Sequence, residues 1–247
     1  MKKQNIGYLL LSSLGIISLL GFALSDPIAQ NEAYHHFSDQ LHYGNIPNFW
    51  NVISNLPFLF VGVLGIIRFK KANISWLVFF VGISLVAFGS GYYHLHPTNE
   101  TLIWDRLPMT IAFTALISAL ISAFIHQKRG KQLLTPLLAL GIISILYWVI
   151  YDDLRLYAFV QFYPILAMPI ILLLFKDKHQ STQGYWLLLI AYIFAKLFET
   201  FDAAIHERLG WISGHSLKHI VAAIGIFLMM QQLNKKRIPK CKIQHIV

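Results

Sequence analysis

Eight apolar runs alternate with short polar breaks along the chain, at 6–24, 49–67, 75–94, 102–125, 133–150, 157–175, 185–201 and 213–233. Each has about the length a helix needs to cross the hydrocarbon core of a bilayer. A helix also satisfies its own backbone hydrogen bonds, which lipid cannot do for it. The pattern therefore predicts an all-α membrane protein with eight spans. The first run follows Lys2-Lys3 and ends in Phe22-Ala23-Leu24-Ser25, so residues 1–25 read as a signal peptide or an uncleaved signal-anchor helix. The run is long for a signal sequence, which favours the anchor. Cleavage would leave seven spans in the same orientation.

Charge then orients the spans. Lys2, Lys3, Arg68, Lys70, Lys71, Lys128, Arg129, Lys131, Lys176, Lys178, Lys235, Lys236, Arg237, Lys240 and Lys242 all fall on one side of the alternation, 15 of the 20 basic residues. By the positive-inside rule that side is cytoplasmic, as are both termini. The remaining units are an outer loop at 26–48, the helical body at 49–234 and a basic cytoplasmic tail at 235–247. Composition agrees with this placement. Hydrophobic residues make up 56% of the chain and charged residues only 13%, whereas a soluble domain is about one quarter charged. The net charge of +9 lies in loop clusters rather than in a basic stripe with interleaved aromatics, which argues against nucleic acid. A single cysteine, Cys241, rules out an intramolecular disulfide and a cysteine-rich metal site.

Against this apolar background a few polar residues stand out at one depth. Ser90 and His94 close the third run from the outer side, Asp105 opens the fourth, and His215 and His219 open the eighth. Residues four apart share a helix face. Ionisable groups at membrane depth are costly and face the bundle interior. Three neutral histidines with a free fourth position make an open zinc site, in which the metal activates water and polarises a carbonyl. Asp105 could then exchange protons with that water or orient a ligand histidine, and Ser90 could donate to a developing oxyanion. The blander alternatives are a serine bonded back to its own helix and an aspartate placed near a helix N-terminus. A second group, Lys196, Glu199 and Asp202 on the seventh run, reads as a structural ion-pair network, although Glu199 and Asp202 at its outer end could also reach the metal region, and Lys218 snorkels or pairs with a carboxylate. In the outer loop, Asp39 and amide oxygens such as that of Asn48 could hold a second cation, or the loop could act as a lid.

In order, Ser90-x-x-x-His94, Asp105-Arg106-Leu107-Pro108-Met109 and His215-x-x-x-His219, with Phe49-Trp50-Asn51 and Ser54-Asn55 before them, resemble the alkaline ceramidase family. That family lies within a superfamily of membrane metal-dependent hydrolases that also includes the progestin and adiponectin receptors. The resemblance implies a seven-helix transmembrane bundle over residues 45 to 233, with the first segment as an addition. It further implies zinc on His94, His215, His219 and water, catalysis by Ser90 and Asp105, and hydrolysis of the N-acyl amide of a ceramide-like lipid. Calcium is a weaker carry-over, because Asp39 is the main acidic residue before the Phe-Trp-Asn element and Asn48 stands where an acid is expected. Two other readings stay open: a lipid receptor that binds without turnover, and a transporter or proton relay.

Overall fold

In a computed structural model the described residues are 2–71, 73–175 and 181–233. Lys176, Lys178, Cys241 and the basic tail lie outside them. The chain forms α1 (Lys3–Leu24), a short α2 (Phe49–Ile53) leading into α3 (Leu56–Phe69), α4 (Ile74–Leu95), α5 (Asn99–Leu120), α6 (Gln127–Tyr151), α7 (Arg155–Leu174), α8 (Gln183–Thr200), α9 (Asp202–Leu209) and α10 (Gly214–Gln232). The fold is an all-α membrane bundle. Among the described residues six spans are long and apolar enough to cross a membrane, counting Phe49–Phe69 as one and carrying α5 on to Ile125. The α9–α10 pair, bent by 102°, adds a seventh if it is counted as one broken span. The α8 helix covers the seventh apolar run, but Gln183, Lys196 and Glu199 lower its mean hydropathy.

Neighbours in sequence pack as neighbours in space: α4 lies between α3 and α5, and α5 contacts α6 and α7. α10 closes the other side against α3 and α8. α1 stands outside this bundle and packs along α7, largely exposed, as expected of an added helix. At one end of the bundle, Phe69, Trp76, Phe79 and Phe80 form a buried aromatic cluster. There Ser75 Oγ and Ser118 Oγ are 2.7 Å apart, and Ser118 donates to the Gly130 carbonyl at 2.9 Å. Such polar links join α4, α5 and the start of α6 where the hydrophobic effect between helices is weak.

The α4–α5 crossing sets the level of the polar end. Pro108 has no N–H, so it cannot donate to the carbonyl four residues earlier, that of Trp104. The same carbonyl abuts Gly89 of α4, where any Cβ would overlap it. Gly89 and Trp104 therefore meet backbone to backbone, and the residues that follow them, Ser90 and Asp105, arrive side by side. Gly89→Ala tests this contact. Alanine is the better helix former by about 1 kcal/mol, but overpacking a close contact costs about 1–3 kcal/mol. The expected result is a lower Tm in detergent, and a higher Tm would mean that the helices do not touch there.

Candidate metal centre and cavity

α10 starts where it does because of its first turn. Ser213 caps it, accepting the Ser216 N–H at 3.2 Å. Gly214 presses against the Phe198 carbonyl and Asp202, leaving no room for a side chain. The Asp202 carboxylate accepts the His215 N–H at 2.6 Å, a favourable place for an anion at a helix N-terminus. These contacts hold His215 and His219 one turn apart on the face turned towards α4.

His94 completes the group from α4. The ring centroids of His94 and His215 are 4.9 Å apart, those of His94 and His219 are 5.2 Å apart, and those of His215 and His219 are 5.1 Å apart. One ring nitrogen from each lies within 4.8 Å of the others, and all three residues are buried. Among the described residues this is the one group of three or more His, Cys, Asp or Glu side chains so placed.

Hydrogen bonding supports a metal at this point. His94 Nδ1 and His215 Nε2 are buried with no hydrogen-bond partner, and an orphaned buried nitrogen is costly unless something binds it. His219 Nδ1 lies 2.9 Å from Ser54 Oγ. Ser54 can donate its one proton to the Asn51 carbonyl, 3.2 Å away, and so accept the Nδ1–H of His219. That tautomer leaves Nε2 unprotonated, as a metal ligand requires. Three imidazoles with no carboxylate or thiolate among them suit zinc.

The outer loop covers this group. Phe37 is buried with its ring 4.7 Å from that of His94 and 4.8 Å from that of His215. Asn48, in the left-handed region (φ 47°) that asparagine tolerates, donates to the His94 carbonyl at 2.8 Å. Asp39 is buried, accepts the Leu41 N–H at 2.9 Å through one oxygen, and has no partner on the other. Its backbone carbonyl accepts Asn51 Nδ2 at 3.1 Å. Both residues therefore tie the loop to the helices beside the histidines, and Asp39 is not part of the three-histidine group. Farther along, the Ile28 N–H contacts the Asp153 carboxylate at 3.3 Å. Hydrogen bonding to the Arg155 guanidinium holds the Asp153 carboxyl down at about 2. That corner of the loop stays ionised across the physiological range.

A cavity of about 300 Å³ opens beside His219, at the low end of the usual size for small-molecule sites. Its polar end is lined by Ser90, Asp105, Arg106, Lys196, Glu199 and Lys218. Apolar side chains, including Phe58, Phe79, Ile83, Phe113, Leu116 and Ile226, line the rest. Of the three histidines, His219 alone reaches its wall. Glu199 accepts from Lys196 and from Lys218, each at 2.6 Å. Asp202 stands apart from that network and takes backbone amides of His215 and Ser38 instead. His96, capping the end of α4, and His126, at the opposite end of α5, are not in the cluster.

A family model described as Ceramidase matches residues 39–243, most of the chain. The chain belongs to the Ceramidase family. A comparison with curated proteins gave no match. Ceramide is an N-acyl amide lipid, and membership implies a membrane hydrolase acting on such amides. The matched region contains all three histidines, the cap of α10 and the cavity-lining residues other than Tyr34, while α1 lies outside it.

Sequence spacing points to the histidines but assigns no role to Ser54, Asn51 or Phe37. Asn51 Oδ1 accepts Ser216 Oγ at 2.7 Å, linking α2 to the first turn of α10. The signal for Asn51 and Ser54 is a run of small amides and a hydroxyl, Asn51-x-x-Ser54-Asn55, at the mouth of an apolar span, and it does not extend to Phe37. Buried asparagines there must find partners.

Proposed function

We propose that this protein is a zinc-dependent amidohydrolase that cleaves the N-acyl amide bond of a ceramide-like membrane lipid. The observation that carries this reading is the convergence of three buried imidazoles, two with unpartnered nitrogens, beside a largely apolar cavity whose wall His219 reaches. His94, His215 and His219 would hold the metal. Zinc, when bound, supplies Lewis acidity that polarises the acyl carbonyl and makes water acidic enough to attack near neutral pH.

The chain's own residues supply the rest. The apolar wall takes the acyl chain and keeps bulk water away from the amide. Asp105 accepts a proton from the attacking water and returns it to the leaving nitrogen as the C–N bond breaks. Ser90, beside it on α4, donates to the acyl oxygen as that oxygen gains charge. The products are a free fatty acid and the amine. A site near the outer face, with both termini cytoplasmic, is the reading that the weight of basic residues at the other end of the bundle supports.

The test is protein purified in detergent, loaded with zinc and incubated with N-acyl lipids. Fatty acid is expected to be released and to stop when the metal is chelated. A protein that holds zinc stoichiometrically yet releases no fatty acid from any N-acyl amide lipid would sink the hydrolase reading.

A further inference from the structure

Arg106 follows Asp105 directly, and its surroundings differ from those of the two lysines on the cavity wall. It is 6% exposed, and no carboxylate among the described residues lies within ion-pair distance of it. Its Cζ lies 4.4 Å from the Trp148 ring centroid, 4.9 Å from that of Tyr157 and 5.6 Å from that of Tyr34. One terminal nitrogen donates to Gln30 Oε1 at 2.7 Å, and the other has no partner. Aromatic faces hold a guanidinium in place without neutralising it. What remains is a buried, positioned cation among the residues that line the cavity, with one donor unused.

The charge count of that wall points the same way. Arg106, Lys196 and Lys218 face two carboxylates, Asp105 and Glu199. Glu199 is already shared between both lysines. The polar end is therefore net positive, more so with a divalent metal on the histidines. A neutral lipid headgroup would leave that excess unanswered. Removing an unpaired buried charge from water is unfavourable unless an anion meets it. An arginine fork suits a planar or tetrahedral oxyanion.

We propose that Arg106 forms a headgroup subsite, and that the preferred substrate is an N-acyl amide whose amine half carries an oxyanion close to the amide nitrogen. This rests on the hydrolase reading above, keeps its N-acyl amide bond and replaces the neutral ceramide-like headgroup with an anionic one. Because Asp105 and Arg106 both line the same cavity, one substrate can present its scissile amide to Asp105 and its anion to Arg106. Hydrolysis then places the water oxygen on the acyl carbon, breaks the C–N bond and releases the fatty acid and an amine that keeps the anion. Carboxylate, sulfonate and phosphate share the chemistry that Arg106 recognises.

The experiment compares N-palmitoylglycine, N-palmitoyltaurine and N-palmitoylethanolamine phosphate with neutral N-palmitoylethanolamine and a ceramide, on zinc-loaded full-length protein. The kcat/KM of the unmodified chain is expected to favour at least one anionic substrate over the neutral ones by roughly 10–100-fold, the size of a charge-assisted hydrogen bond. Which anion leads tells carboxylate from sulfonate and phosphate. In Arg106→Gln the anionic-to-neutral ratio is expected to collapse, whatever the absolute rates, and in Arg106→Lys part of it is expected to survive. A purely structural arginine would lower both substrate classes alike.

Binding of two ethers with no amide to cleave, hexadecyloxyacetate and 2-hexadecyloxyethanol, separates this proposal from the reaction itself. Tighter binding of the carboxylate that depends on Arg106, with no amide hydrolysed, would overturn the hydrolase reading and leave the subsite standing. Hydrolysis of neutral amides as fast as anionic ones, with both ethers bound equally, would overturn the subsite and leave the hydrolase. Failure of both hydrolysis and ether binding would overturn both.

Discussion

His219→Ala is expected to abolish stoichiometric zinc binding and amide hydrolysis together, while the helical bundle still folds. On the proposed reading three neutral nitrogens of the described residues form the ligand set, so removing one leaves two, fewer than the three protein ligands of a typical catalytic zinc site. His219 is the informative member because it alone lines the cavity. Metal content by elemental analysis and fatty-acid release measure the two losses, and circular dichroism checks the fold. Ser54→Ala supplies a graded comparison. It removes the oxygen 2.9 Å from His219 Nδ1 but no ligand atom, and lost outer partners of this kind cost roughly 10–100-fold in metal affinity or activity. The expected order is therefore unmodified protein, then Ser54→Ala, then His219→Ala with no measurable zinc. Equal zinc occupancy in all three would mean that the histidines hold no metal.

The reasons some of this arrangement is legible in the sequence, and some is not, are physical. A helix repeats on its own face, so His215 and His219 declare a shared side from spacing alone, as do Ser90 and His94. A bilayer adds a second coordinate, depth, which the basic loop clusters reveal. Together these bring His94, Asp105 and the final pair to one end of the bundle without any distance being known. The contacts that support them have no such period. Asn51 meets Ser216 across 165 positions, Ser54 meets His219 across the same separation, and Phe37 reaches both His94 and His215 from a loop. Side-chain contacts between loops and distant helices leave no repeat in the chain. Asp202 illustrates the difference. Its spacing from Lys196 and Glu199 points to an ion-pair network, whereas in three dimensions the α9–α10 bend turns it onto the amides that begin α10. Likewise Gly89 and Pro108 are each visible as helix irregularities, but that one answers the other through the Trp104 carbonyl appears only when α4 and α5 are laid side by side.

Asp105→Asn is expected to lower kcat by about 10²–10⁴, the usual contribution of a general acid–base group, and to leave zinc stoichiometric. Asparagine keeps the size and polarity of the side chain but cannot take a proton from water and return it to nitrogen. The split between activity and metal content is what assigns the role. Asp105 reaches the cavity wall from α5 but is not part of the three-nitrogen cluster, so its loss should not empty the site. Ser90→Ala supplies the matching control on α4. Losing one donor to a developing oxyanion costs about 10²–10³ in kcat, and unlike Asp105→Asn it should leave the pH dependence of kcat in place. Because Ser90 and Asp105 lie side by side across the Gly89–Trp104 contact, a double variant is expected to lose less than the product of the two single effects. Should Asp105→Asn instead lose zinc as completely as His219→Ala, Asp105 would be a metal ligand, and the proton would need another carrier. Lys218, on the same wall and already bonded to Glu199, would then be the next group to test.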